Sequence, residues 1–107
     1  MMVRVSDLNQ RIQIIRNEII TNENGVEEEQ EIVLATIWAK AQNMSGTEVF
    51  KANTDYSKTT TRFIIRYRKG ITTDDFIILN SYKFNIVYIN NYNYSNEYLE
   101  LIGELIV

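Results

Sequence analysis

The run Thr61-Arg62-Phe63-Ile64-Ile65-Arg66-Tyr67-Arg68 constrains the fold more tightly than any other part of the chain. Phe63, Ile65 and Tyr67 alternate with Arg62, Ile64, Arg66 and Arg68, the period of a strand that lays one face on a core. Lys69-Gly70 ends it. Other segments repeat the theme. Residues 10–20 place Ile12 and Ile14 on one face, with Arg11 and Gln13 opposite. Asn24-Gly25 then supplies the positive φ angles of a type I′ hairpin turn. Residues 27–41 form the return strand, with Ile32, Leu34 and Trp38 on one face and Val33, Ala35, Ile37 and Ala39 on the other. Its second half is apolar on both faces, which predicts burial on both sides or an oligomer contact.

Residues 75–79 and 82–89 read as a second hairpin around Asn80-Ser81, and residues 98–106 as a closing strand. In that last strand Leu99, Leu101 and Leu105 point inward and Glu100 and Glu104 outward. The Asn/Tyr-rich stretch 90–96 is a loop or wide turn. Ser45-Gly46-Thr47-Glu48 fits a capping box, in which serine and glutamate satisfy each other's free backbone amides. It predicts a short helix over 46–53, followed by a polar loop over 55–60. Residues 1–8 form an arm with one helical turn begun by Ser6 or Asp7. The expected fold is therefore mainly β: a single domain over 1–107, a small antiparallel barrel or sandwich of about six strands with one short helix.

A chain of 107 residues can bury one core without staples. It has no cysteine, which excludes disulfides and thiolate metal sites, and no histidine, the commonest general base and metal ligand. Its four glycines, at 25, 46, 70 and 103, form no phosphate-binding loop. No spacing of Ser or Thr with Lys, Asp or Glu suggests a nucleophile and its base. Asp74-Asp75 reads as an ordinary acidic turn. These features argue against an enzyme and imply no cofactor. No apolar run is long enough for a membrane span and the N-terminus lacks a signal-peptide pattern, so the expectation is a protein made in the cytoplasm, with no membrane partner.

Charge is unevenly distributed around a net −3. Glu27, Glu28, Glu29 and Glu31 cluster in one strand, and Arg62, Arg66, Arg68 and Lys69 in another. Each cluster reads either as a solvated face or as one of two complementary patches on neighbouring copies. The arginines could also meet a phosphate backbone, but Phe63 and Tyr67 lie on the opposite face and offer them no stacking platform. Trp38 reads as a core residue rather than a binding anchor.

Taken in order, these pieces resemble the phage head–tail adaptor family of small head-closure (connector, stopper) proteins from long-tailed phages and prophages. The resemblance runs through Arg11-Ile12-Gln13, Asn24-Gly25, Trp38-Ala39, Ser45-Gly46-x-Glu48 and Ile65-Arg66-Tyr67 with Gly70-Ile71. It continues through residues 82–86 and 99–104 and covers nearly the whole chain, departing at 90–96. It implies a structural virion protein at the head–tail interface, made in the bacterial host cytoplasm, in some cases from a prophage. Copies would form a homo-oligomeric ring on the portal or adaptor protein, close the head channel and offer a docking surface to a tail-completion or tail terminator protein. Enzymatic chemistry is not part of the family.

The resemblance further implies a loop within 43–60 that projects towards the channel and helps close it, with Asn53, Asp55, Tyr56 and Lys58 as the candidate channel-loop residues, and a passing contact of the ring with genomic DNA in the channel. Trp38, Ser45, Gly46, Glu48, Tyr67 and Gly70 become structural motif residues, with Trp38 as a fold anchor. Glu27, Glu29 and Glu31 on one side, and Arg62, Arg66 and Arg68 on the other, become the candidate subunit or partner interfaces. The alternatives are a small nucleic-acid-binding barrel of the OB type, reading DNA through those arginines, and a tail-completion ring.

Overall fold

The alternating runs become six strands: β1 (Gln10–Thr21), β2 (Glu27–Asn43), β3 (Thr60–Arg66), β4 (Phe76–Leu79), β5 (Tyr82–Asn91) and β6 (Tyr98–Leu105). A computed structural model describes residues 4–44 and 59–106. All pairings are antiparallel, and they close a barrel in the order β1-β2-β3-β6-β5-β4. The choice between barrel and sandwich is thus settled by the β1–β4 seam, in which Ile12 to Ile15 pair with Leu79 to Phe76. The expected helix over 46–53, with Ser45, Gly46 and Glu48, lies outside the described residues, as do Asn53, Asp55, Tyr56 and Lys58. The N-terminal turn is a 3-10 helix that begins at Val5 rather than at Ser6 or Asp7.

Inward side chains come from every strand. Ile12, Ile14, Ala35, Ala39, Phe63, Ile65, Ile77, Phe84, Ile86, Leu99 and Leu101 form one buried cluster. Phe63 and Phe84 meet edge to face, with ring centroids 5.1 Å apart. Gly103 makes room for them: a Cβ there would stand 3.0 Å from Phe84 Cβ and 3.1 Å from Phe63 Cε2. Burial on this scale is the main stabilising term for a domain this small.

Two irregularities in the first hairpin set its faces. The turn is not type I′. Gly25 alone takes a left-handed conformation (φ +78°), and its N–H donates to the Asn22 carbonyl, 3.0 Å away. Asn22 and Val26 close a three-residue loop, and Asn22 Oδ1 accepts from the N–H groups of Asn24 and Val26. This is a type I turn followed by a left-handed glycine. Further down, Ile15 pairs with Val33 but Ile14 pairs with Ala35, so Leu34 is an extra residue in a β-bulge. The bulge changes which side chains face inward. Ala35, Ile37 and Ala39 face the core, but Val33, expected on their face, turns outward and is half-exposed.

The hairpin is longer than the barrel. β4 covers only residues 12–15 of β1, and β3 covers only 39–43 of β2. Among the described residues, 16–21 and 27–32 therefore pair only with each other and extend from the barrel as a two-stranded ribbon. Six residue pairs carry it roughly 20 Å outward. An isolated two-stranded hairpin is marginal in water, so it needs support at its base. Two ion pairs provide it. Lys83 Nζ, on β5, reaches Glu31 at 2.7 Å and lies 4.5 Å from the centroid of the Phe76 ring. Arg16 binds Asp75, as described next.

Candidate interaction surface

Asp75 is 1% exposed and organises the loop between β3 and β4. Arg16 Nε donates to its Oδ1 at 2.8 Å, and Arg16 Nη2 donates to Oδ2 at 3.0 Å. The Thr72 N–H donates to the same Oδ2 at 2.9 Å, and Arg16 Nη2 also donates to the Gly70 carbonyl at 2.7 Å. The hydrogen bonds and charge of Asp75 raise the Arg16 guanidinium above its usual value. Gly70 adopts φ +92°, a conformation that favours glycine, to present that carbonyl. Asp75 is thus more than an acidic turn residue: it fixes the loop and the ribbon base together.

The loop so held lines an open groove of about 360 Å³ with Leu8, Arg11, Thr36, Ile37, Trp38, Arg66, Tyr67 and Arg68. Trp38 is 52% exposed, so it is not the core residue that the sequence suggested. It sits on the outer face of β2, directly opposite Arg11 on β1, whose guanidinium carbon lies 4.8 Å from the indole centroid. Arg66 and Arg68 are exposed and, among the described residues, make no ion pair. Three guanidinium groups around a half-exposed indole suit a carboxylate-bearing partner, and Trp, Tyr and Arg are the residues enriched where interfaces carry most energy.

The expected row of three arginines is broken. Arg62 lies on the outer face of β3, but it is 14% exposed and paired with Glu100 of β6, itself 12% exposed. The Tyr92 hydroxyl donates to the same carboxylate oxygen, Glu100 Oε2, at 3.2 Å. Burial pushes the Tyr92 hydroxyl up to about 12, the Glu100 carboxylate adds to the rise, and Arg62 opposes it. Ile64, also on that outer face, is fully buried. Arg62 therefore belongs to a structural network, and Arg11 takes its place beside Arg66 and Arg68.

Glu27, Glu29 and Glu31 share the outer face of the ribbon, opposite Thr21, Ile19 and Asn17. Glu31 is engaged by Lys83, whereas Glu27 and Glu29 make no ion pair among the described residues. Ile19, between them, is 71% exposed. One hairpin thus carries acidic groups near its tip and a basic aromatic groove roughly 30 Å of strand away. Among the described residues no group of three acidic side chains could hold a metal ion, and no helix is long and apolar enough to cross a membrane.

The fold has known counterparts. It is similar to the solution structure of protein SF1141 from Shigella flexneri 2a, with 22% identity and a TM-score of 0.78 over 96% of each chain. A chain in the virion of a native gene transfer agent particle is also similar, with 12% identity and a TM-score of 0.64 over 99% of each chain. No curated protein sequence matches. These identities speak for the fold alone, but the sequence itself matches the family of phage head completion proteins over residues 3–105. The match spans nearly every residue of the barrel and its ribbon, and the chain belongs to this family of structural phage virion proteins.

Proposed function

We propose that copies of this protein assemble head to tail into a ring that closes the channel of the filled head and joins the portal or adaptor protein to the tail. A ring with this geometry needs two different, complementary surfaces on each subunit. The observation that carries the reading is the polarity of the β1–β2 hairpin. Glu27 and Glu29 lie near its tip, and Arg11, Arg66 and Arg68 surround Trp38 at its other end. Opposite charges on separate surfaces favour heterologous contact and steer it to one register.

Reversing charge at Arg66 tests this. Arg66→Glu should weaken ring or connector assembly, seen by electron microscopy with the portal and by sedimentation, while leaving the monomer folded. Assembly with unchanged affinity would remove Arg66 from the contact. The nucleic-acid reading gains no support, because its row of three arginines loses Arg62 to Glu100. It requires binding to short DNA that falls steeply with salt. The ring reading predicts no measurable affinity at physiological salt.

A further inference from the structure

The backbone of β2 leaves one edge open over most of its length. Its pairing with β3 ends at Ala39 and Ile65, and among the described residues nothing pairs with that edge over 27–38. β1 has a matching opening: β4 stops at Ile15, so, among the described residues, 16–21 pair with β2 alone. The two open edges differ in position. One runs down beside the groove at Thr36, Ile37 and Trp38, and the other belongs wholly to the ribbon. Unpaired strand edges are ready templates for another strand, and extended segments bind such edges through main-chain hydrogen bonds.

We propose that neighbouring copies join by strand addition, the ribbon edge of one copy (residues 16–21) pairing with the β2 edge of the next at 36–38. The inference rests on the ring reading and specifies the contact within it. A second copy is the occupant because this chain carries the complement of its own groove. The incoming ribbon brings Ile19, the most exposed aliphatic residue of its outer face, beside Trp38. It brings Glu29, directly across the ribbon from Ile19, towards Arg66 and Arg68. Main-chain pairing supplies adhesion, while Ile19 and Glu29 set register. The contact is heterologous, since each copy gives one edge and receives on the other.

The absence of native cysteine allows a clean test. Thr36→Cys protein is mixed under mild oxidation with Asn17→Cys or with Thr21→Cys protein, each with a single thiol on the outer face, so that Ile19 and Trp38 stay in place. A disulfide between the two variants can arise only between copies. We expect the mixed dimer to dominate over either self-linked dimer. Amide hydrogen exchange on the unmodified chain, compared between dilute and assembled states, supplies a second reading. Amides within 16–21 and 36–38 should slow together by about tenfold or more on assembly. Assembly that is abolished by Arg66→Glu but protects neither edge, and yields no mixed disulfide, would overturn strand addition and leave the ring intact. Protection at 36–38 without any at 16–21 would also overturn it, by assigning the β2 edge to a different segment. A chain that stays monomeric at millimolar concentration and forms no ring on the portal would overturn both readings.

Discussion

The Arg16 guanidinium grips the Asp75 carboxylate at the point where β4 stops pairing with β1. One residue earlier, Ile15 and Phe76 still form a backbone pair. From there the ladder is succeeded by a two-pronged ion pair, with Nε and Nη2 bound to the two carboxylate oxygens. This contact separates the closed barrel from the free ribbon, and it ties the loop beside the groove to both.

Asp75→Ala should therefore cost more than a surface charge would. The Thr72 amide loses its acceptor and the Arg16 fork loses its partner. A loss of about 1–3 kcal/mol is expected, read as a lower urea midpoint. Arg16→Ala should also lower the midpoint, because it leaves the buried Asp75 carboxylate without its counter-charge. An unchanged midpoint in Arg16→Ala would mean that Asp75 acts through the Thr72 amide alone.

Trp38→Ala should separate folding from assembly. The monomer loses an exposed cation–π contact, about 0.5–1 kcal/mol, and little packing. Assembly should fall sharply. As the chain's one tryptophan, Trp38 also reports directly: its fluorescence should be readily quenched by acrylamide in the monomer and protected in the ring. An emission that is already shielded in the monomer would contradict the observed exposure.

Gly103→Ala is expected to destabilise the barrel by about 1–3 kcal/mol, since the new methyl group presses on Phe84 and Phe63. Phe63→Leu in the same chain, which removes the Cε2 atom facing the new methyl group, should recover part of the loss if that contact is the cause. Thermal melts of the two single variants and the double variant read the coupling.

Alkaline pH should weaken the fold through Tyr92. Its folded value, about 12, exceeds the ordinary 10.0, so the folded state holds the proton longer than the unfolded state. The associated stability is complete below about pH 10 and is lost as pH rises towards 12. Denaturant midpoints should decline across that window, and less so in Tyr92→Phe. In a spectroscopic titration, one of the seven tyrosines should ionise late.

The sequence made the strands legible because period-2 alternation is a strong local signal. Residues 61–66, the Asn80-Ser81 hairpin and the last strand lie where that alternation puts them, whereas Tyr67 and Arg68, expected in the same strand, fall beyond its end in the loop. The facing of β2 was harder, because it depends on two offsets that cancel. A two-residue turn at Asn24-Gly25 would place Arg11 opposite Trp38. The three-residue loop moves the register by one, and the bulge at Leu34 moves it back. Arg11 could thus have been found across from Trp38 by counting from the turn. The misreading of Val33 came from the bulge, which leaves no local mark in the sequence. The pairing of Arg62 was hidden for a different reason. Its alternation with Arg66 is real, but its partner Glu100 lies 38 positions away on a strand paired only in three dimensions.

The crowding of glutamates at the ribbon also bears on what the molecule avoids. A long open edge flanked by exposed Ile19, Val26 and Val33 would ordinarily invite two copies to pair ribbon to ribbon, symmetrically, and then to polymerise. Here such a meeting brings Glu27, Glu28, Glu29 and Glu31 of one copy against the same residues of another. Like charges in register oppose that mode while leaving an approach to a basic surface open. The acidic tip thereby disfavours self-pairing among free copies, and it does so most strongly where the ribbon would otherwise be most adhesive.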